Sequence, residues 1–65
     1  MNIKELAQEY RLTADRLQSR ITQLRAELLT ARGKKAFDMQ KRIDMLYAEL
    51  LDVREIMGYL NHYYH

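Results

Sequence analysis

The sequence predicts an all-α fold: an antiparallel two-helix hairpin that dimerises into a four-helix bundle. Three observations predict it. One apolar ladder, spaced alternately by three and four, runs through Ile3, Ala7, Tyr10, Ala14, Leu17, Ile21, Leu24, Leu28 and Ala31. A second runs through Ala36, Met39, Ile43, Leu46, Leu50, Val53, Met57, Leu60 and Tyr64. Spacing of this kind keeps every member on one stripe of a helix, so each ladder describes one amphipathic element. The third observation is Gly33, which lies between the ladders at the point where folding the chain back brings their members into register. The expected plan is a helix over ~3–32, a turn at Gly33 and a helix over ~35–60, forming a single domain of residues 1–65.

The first helix opens at Asn2. Its side chain can accept from the amide of Glu5, and Glu5 can reach back to the Asn2 amide, so Asn2-Ile3-Lys4-Glu5 reads as a variant of the capping box. Gly33 is the expected terminator, because glycine takes the left-handed conformation just past a helix end without Cβ strain. Arg32 beside it complements the negative end of the helix dipole. The second helix should start between Lys34 and Ala36, with no Ser, Thr, Asp or Asn before it, and should end near Leu60, where Gly58 and Asn61 interrupt the pattern. Lys34 and Lys35 sit at its positive end, and Asp38 offsets them. The chain has no proline, so neither helix is obliged to kink.

A single unbroken helix in a parallel coiled coil is the rival plan. It would place core positions at 7, 14, 21 and 28 and then at 36, 43, 50 and 57, so a continuous heptad would have to absorb one extra residue at Gly33. The hairpin needs no such slip. Its layers are Leu28 with Met39, Leu24 with Ile43, Ile21 with Leu46, Leu17 with Leu50, Ala14 with Val53, Tyr10 with Met57, Ala7 with Leu60 and Ile3 with Tyr64, and each pair of numbers adds to 67. Small Ala7 and Ala14 face larger Leu60 and Val53, which lets the layers interdigitate.

Composition narrows the function classes. A chain of 65 residues with 48% hydrophobic residues is hard to stabilise without disulfides, metal or self-association. Cysteine is absent, which removes the disulfide route and fits a reducing compartment. No stretch approaches the ~18 consecutive apolar residues of a membrane span, and the N-terminus MNIKELAQEY carries charges where a secretory signal would be apolar. The expectation is a soluble cytoplasmic protein with no membrane partner. A net charge of +2 permits a nucleic-acid or acidic partner without demanding one.

The two edges of the seam carry different charge. On one, Glu27 faces Arg42, Arg20 faces Glu49, Thr13 faces Ile56 and Leu6 faces Tyr63, so this edge reads as closed. On the other, Lys4, Arg11, Gln18, Arg25 and Arg32 face Gln40, Tyr47, Arg54 and Asn61 with no acid directly opposite. Asp15, one turn from Arg11, and Asp44, one turn from Gln40, balance this edge in part. Lys4, Arg11, Gln18, Arg25, Arg32, Tyr47 and Arg54 therefore form a candidate basic flank for a partner. Such a flank suits phosphates or an acidic helix, with Tyr47 available for stacking; the same pattern also serves as a solvated cationic face. The turn cluster Arg32, Lys34 and Lys35, with Lys41 and Arg42 behind it, is a second basic patch.

Each helix of a hairpin covers only one stripe of its partner, yet the chain has many apolar residues off the ladders: Leu12, Leu29, Phe37, Met45, Tyr47, Leu51, Ile56 and Tyr59. Helix two is apolar on both flanks of its seam, and helix one carries a second row of Leu12, Ser19, Thr22, Ala26 and Leu29. The candidate oligomer interface is Leu12, Ala26, Leu29, Phe37, Tyr47, Leu51, Ile56 and Tyr59. A two-fold homodimer is the simplest way to cover it, and another helical protein is the other candidate partner.

Sites for chemistry are sparse. His62 and His65 are three apart, a spacing that could clasp a metal on a helix, but no nearby acid or cysteine completes the set, so no metal or cofactor is expected. Tyr63 and Tyr64 are expected to pack at the open end of the hairpin. Ser19 is the only serine, the two glycines form no phosphate-cradling loop, and Glu5, Glu9, Asp38, Asp52 and Glu55 fall mainly on outer faces. No catalytic residue is expected. In size and plan the chain resembles the Rop family of small plasmid proteins, whose helical hairpins pair into a four-helix bundle that binds RNA. That resemblance is architectural, rests on no shared motif and carries no residue across. The expected function is a non-catalytic interaction and oligomerisation module, with a small nucleic-acid-binding regulator as the alternative.

Overall fold

The computed structural model describes residues 2–63, apart from the side chain of Tyr63. Two helices, α1 (Ile3–Leu28) and α2 (Gly33–Tyr63), pack against each other as an antiparallel hairpin. The Cα atoms span 47 × 15 × 14 Å, the length of one 31-residue helix and the cross-section of two.

The capping box forms as the sequence implies. The Glu5 amide donates to Asn2 Oδ1 at 2.9 Å, and the Asn2 amide donates to Glu5 Oε2 at 3.4 Å. Asn2 itself is extended, and its carbonyl accepts the first helical bond, from Leu6, at 3.1 Å.

Both inner helix ends differ from the expected ones. The first helix was expected to reach Arg32, but its α-type bonding stops at Leu28. The amides of Leu29, Thr30 and Ala31 then donate to the carbonyls of Ala26, Glu27 and Leu28 at 3.3, 3.2 and 3.2 Å. These are bonds to the third residue back, a tightening that satisfies carbonyls left over at a helix end. Gly33 adopts φ +62° as expected, but it opens α2 instead of closing α1. At the far end Gly58 does not stop the helix, and α2 continues to Tyr63. A mid-helix glycine costs about 1 kcal/mol, and here the apolar ladder continues across it, with Met57 and Leu60 half-buried on either side.

The seam follows the ladders. Every described ladder residue is buried or half-buried, and beyond them only Leu6 and Arg20 among the described residues escape full exposure. Ile21 and Leu50 are fully buried and Leu24 and Ile43 nearly so, with Ala14, Leu17, Leu28, Met39 and Leu46 packed around them. This places the core in the second to fourth layers from the turn, from Leu24 with Ile43 to Leu17 with Leu50. Burial fades toward the open end, where Ile3, Ala7, Tyr10 and Met57 are only half-buried. The expected pairing of Ile3 with Tyr64, and the packing of Tyr63 and Tyr64, lie outside the described residues.

Candidate functional site

The core takes up few side chains, so most of the hairpin's polar residues and many of its apolar ones stand on its outside. Among the described residues no charged or polar side chain is buried, and no group of three His, Cys, Asp or Glu is placed to hold a metal ion. His65, the second member of the histidine spacing, lies outside the described residues. No helix of the described chain is long and apolar enough to cross a membrane.

The two edges of the seam differ as their sequences do. Arg20 and Leu6 are the half-buried pair noted above, and both lie on the edge where Glu27 stands near Arg42. That edge is nevertheless not closed by ion pairs. Arg20 Nη1 donates to Gln23 Oε1 on its own helix at 3.1 Å, and neither Glu27 with Arg42 nor Arg20 with Glu49 reaches ion-pair distance. Thr13 likewise turns its hydroxyl back to the Glu9 carbonyl at 3.0 Å. Glu27, Arg42 and Arg20 instead rim a hollow of about 550 Å³ whose floor includes Leu24 and Met39. Lys34, at the mouth of the same hollow, is paired with Asp38 at 2.7 Å, as expected for charges at the start of a helix.

The opposite edge is open along its whole described length. Lys4, Arg11, Gln18 and Arg25 on α1 and Gln40, Tyr47, Arg54 and Asn61 on α2 are all exposed. Arg54 Nη2 donates to Gln18 Oε1 at 3.4 Å across the seam, which ties residues 36 apart in sequence and supports the expected register. Arg25 and Tyr47 line one hollow of about 330 Å³ together with Gln40, Asp44 and Leu51, over buried Ile43. Within it Gln40 Nε2 donates to Asp44 Oδ1 at 3.0 Å. The structure thus brings Arg25 beside Tyr47, and Gln18 beside Arg54, along this edge. Arg32 is the exception, because it lies in the connection between the helices and not on α1.

The off-ladder apolar residues are exposed as a set: Leu12, Leu29, Phe37, Met45, Tyr47, Leu51, Ile56 and Tyr59, from 37% for Ile56 to 87% for Leu29. Ala26 is exposed as well. They do not form one face. By helical position Phe37, Tyr47 and Leu51 lie along the open edge of α2, Met45, Ile56 and Tyr59 along its other flank, and Leu12 and Ala26 on the back of α1. Phe37 is partly screened by the Lys41 ammonium, 4.8 Å from its ring centroid. Met45, which is not among the expected interface residues, shares this flank with Ile56 and Tyr59 and is 67% exposed.

Apolar residues of α1 are concentrated on a single stripe, whereas those of α2 extend from the seam onto both of its flanks. Comparison of the chain with protein-family models, with curated proteins and with solved structures finds no match.

Proposed function

We propose that this hairpin is a non-catalytic, self-associating interaction module, most simply a homodimer in which two hairpins form a four-helix bundle. One observation carries the proposal. The chain exposes 5432 Å², whereas a compact folded monomer of its mass exposes roughly 4,400 Å². The excess, roughly 1,000 Å², is comparable to the ~800 Å² that each partner buries in a stable interface. Six large apolar side chains of α2, Phe37, Met45, Tyr47, Leu51, Ile56 and Tyr59, are among the groups left exposed. A reducing compartment such as the cytoplasm suits a chain without cysteine. Light scattering tests the reading: the wild-type chain is expected at twice its monomer mass, and Leu51→Lys is expected to move it toward the monomer. A wild-type mass that stays monomeric at high concentration would refute self-association and leave the flanks to a foreign helical partner.

A second reading, a small nucleic-acid-binding module, is favoured by the placement of Arg25 beside Tyr47 with Arg54 one register step away. Binding of this kind falls steeply as salt rises. Arg25→Glu should weaken it without unfolding the protein, since Arg25 is exposed. Salt-independent binding, or none, in a shift assay would remove this reading.

A further inference from the structure

The proposed dimer leaves the orientation of the two hairpins open, and the charges on the open edge decide it. Along α2 this edge carries Gln40, Asp44, Tyr47, Leu51, Arg54 and Gly58, again at alternating spacings of three and four. All six are exposed. Laid antiparallel on a second copy of itself about residue 49, the row is self-complementary. Tyr47 meets Leu51 of the copy, Asp44 meets Arg54, and Gln40 meets Gly58, each pair adding to 98. By two-fold symmetry every contact occurs twice, which is what an isologous interface requires.

The same edge of α1 has the same property. Arg11, Asp15, Gln18, Thr22, Arg25 and Leu29 follow the same spacing, and reversal about residue 20 sets Asp15 against Arg25, Gln18 against Thr22 and Arg11 against Leu29. Residues 20 and 49 add to 69, close to the 67 of the core layers, so the two centres lie at one height on the hairpin. One two-fold axis, perpendicular to the helices, therefore serves both rows.

We infer that two copies pair through this open edge with α2 antiparallel to α2 and α1 antiparallel to α1, held by reciprocal Asp44–Arg54 and Asp15–Arg25 pairs around a central Tyr47–Leu51 cluster. The inference rests on the self-association reading and specifies its interface. Placing α1 on α2 of the copy would also match the charges, with Asp15 against Arg54 and Asp44 against Arg25. It would, however, set Tyr47 against Thr22 and Leu51 against Gln18, whereas the reversed pairing gathers the apolar side chains on the axis. The acids and arginines are free to take new partners, because Asp44 accepts only from neutral Gln40 and Arg54 reaches only neutral Gln18, at 3.4 Å.

Charge exchange separates the arrangements. Asp44→Arg alone and Arg54→Asp alone each create like-charge contacts at two symmetric places and should weaken the dimer about tenfold or more, measured by sedimentation equilibrium. The double variant Asp44→Arg/Arg54→Asp restores both contacts and should return to within about threefold of wild type. A double variant weaker than either single one would overturn the inferred pairing while the wild-type dimer mass still upheld self-association. A monomeric wild type would overturn both. Circular dichroism confirms that the variants fold. A second readout is the distance between spin labels at Lys41→Cys. Reversed helices centred on residue 49 separate those sites by about 24 Å along the axis, whereas labels at equal height, closer than about 20 Å, would refute the reversal.

Discussion

Leu50 and Leu51 are adjacent in sequence and opposite in role, so truncating each to alanine separates the two layers of the structure. Leu50 is fully buried between the helices, and Leu51 is 49% exposed on the open edge. Removing a fully buried leucine costs about 3 kcal/mol, transfer and cavity together. A chain of this length has a total stability of roughly 3–10 kcal/mol, so Leu50→Ala should remove a third or more of it at every protein concentration. Leu51→Ala should change the isolated hairpin by no more than about 0.5 kcal/mol. Its effect would fall on the proposed dimer. If the half of the side chain still exposed is covered by the partner, about 1 kcal/mol is lost per subunit and about 2 per dimer, roughly a thirtyfold weakening of association. Urea unfolding followed by circular dichroism at two concentrations a hundredfold apart reads both effects. The midpoint of Leu50→Ala should fall in both samples. The midpoint of Leu51→Ala should match wild type when dilute and fall below it when concentrated. Equal losses from the two leucines at both concentrations would refute the assignment of one to the seam and the other to an outer interface.

Three further outcomes follow from local geometry. Asn2→Ala removes the acceptor of the 2.9 Å bond from the Glu5 amide and should lower stability by about 1 kcal/mol in thermal melts; no change would mean that the capping box contributes nothing. Gly33→Ala meets no atom within 4 Å of the added Cβ, so its cost should be the left-handed backbone alone, about 1 kcal/mol, whereas Gly58→Ala, also unobstructed and helical, should stabilise by about 0.5–1 kcal/mol. Opposite signs at the two glycines are the expected result in urea titrations, and equal signs would contradict the backbone assignment. Lys34→Met breaks an ion pair whose members are both largely exposed, so it should cost no more than about 0.5 kcal/mol, a difference that should vanish in 1 M salt.

The seam was legible because burial in a hairpin is set by helical period alone. Ile21, Leu24, Ile43 and Leu50 all stand on the two 3-4 ladders; what the spacing does not tell is that burial fades from them toward the open end. The exposed apolar set was legible for the same reason: what one stripe cannot reach stays outside. Helix ends were less so. Whether Leu29, Thr30 and Ala31 bond to the third or the fourth residue back is decided by which leftover carbonyls the turn can satisfy, and no residue type there announces it. Gly58 reads as a stop by local propensity, which takes no account of the half-buried ladder residues on either side of it. The complementary charges of the other edge do not form ion pairs, for an energetic reason. Arg20 and Glu49 face one another, but joining two long exposed side chains gains little, and a neighbour on the same helix, Gln23, is closer for Arg20. Of the candidate site, position was readable and ligand was not, since Arg25 and Tyr47 can stand side by side for phosphates, for an acidic helix or for a second copy of the chain.

The two functional readings draw on the same atoms, and this makes them exclusive at any one moment. Arg25, Tyr47 and Arg54 would be the groups that meet a nucleic acid, and they are also the groups consumed when two open edges pair. Dimerisation through that edge would bury Tyr47 and neutralise two arginines on each subunit against Asp15 and Asp44, which removes the stacking platform and much of the flank's positive field together. A polyanion would then compete with the second copy, and apparent affinity per chain would fall as protein concentration rises. Cooperative binding, in which affinity rises with protein concentration, requires the opposite geometry, with pairing through Met45, Ile56 and Tyr59 and the basic edge left free on both subunits. That other flank is the poorer candidate for self-pairing. Reversal that brings Met45 onto Ile56 of a copy also brings Glu49 onto Asp52, acid against acid at the centre of the contact. The distribution of acids, not of apolar residues, is therefore what selects between the flanks of α2.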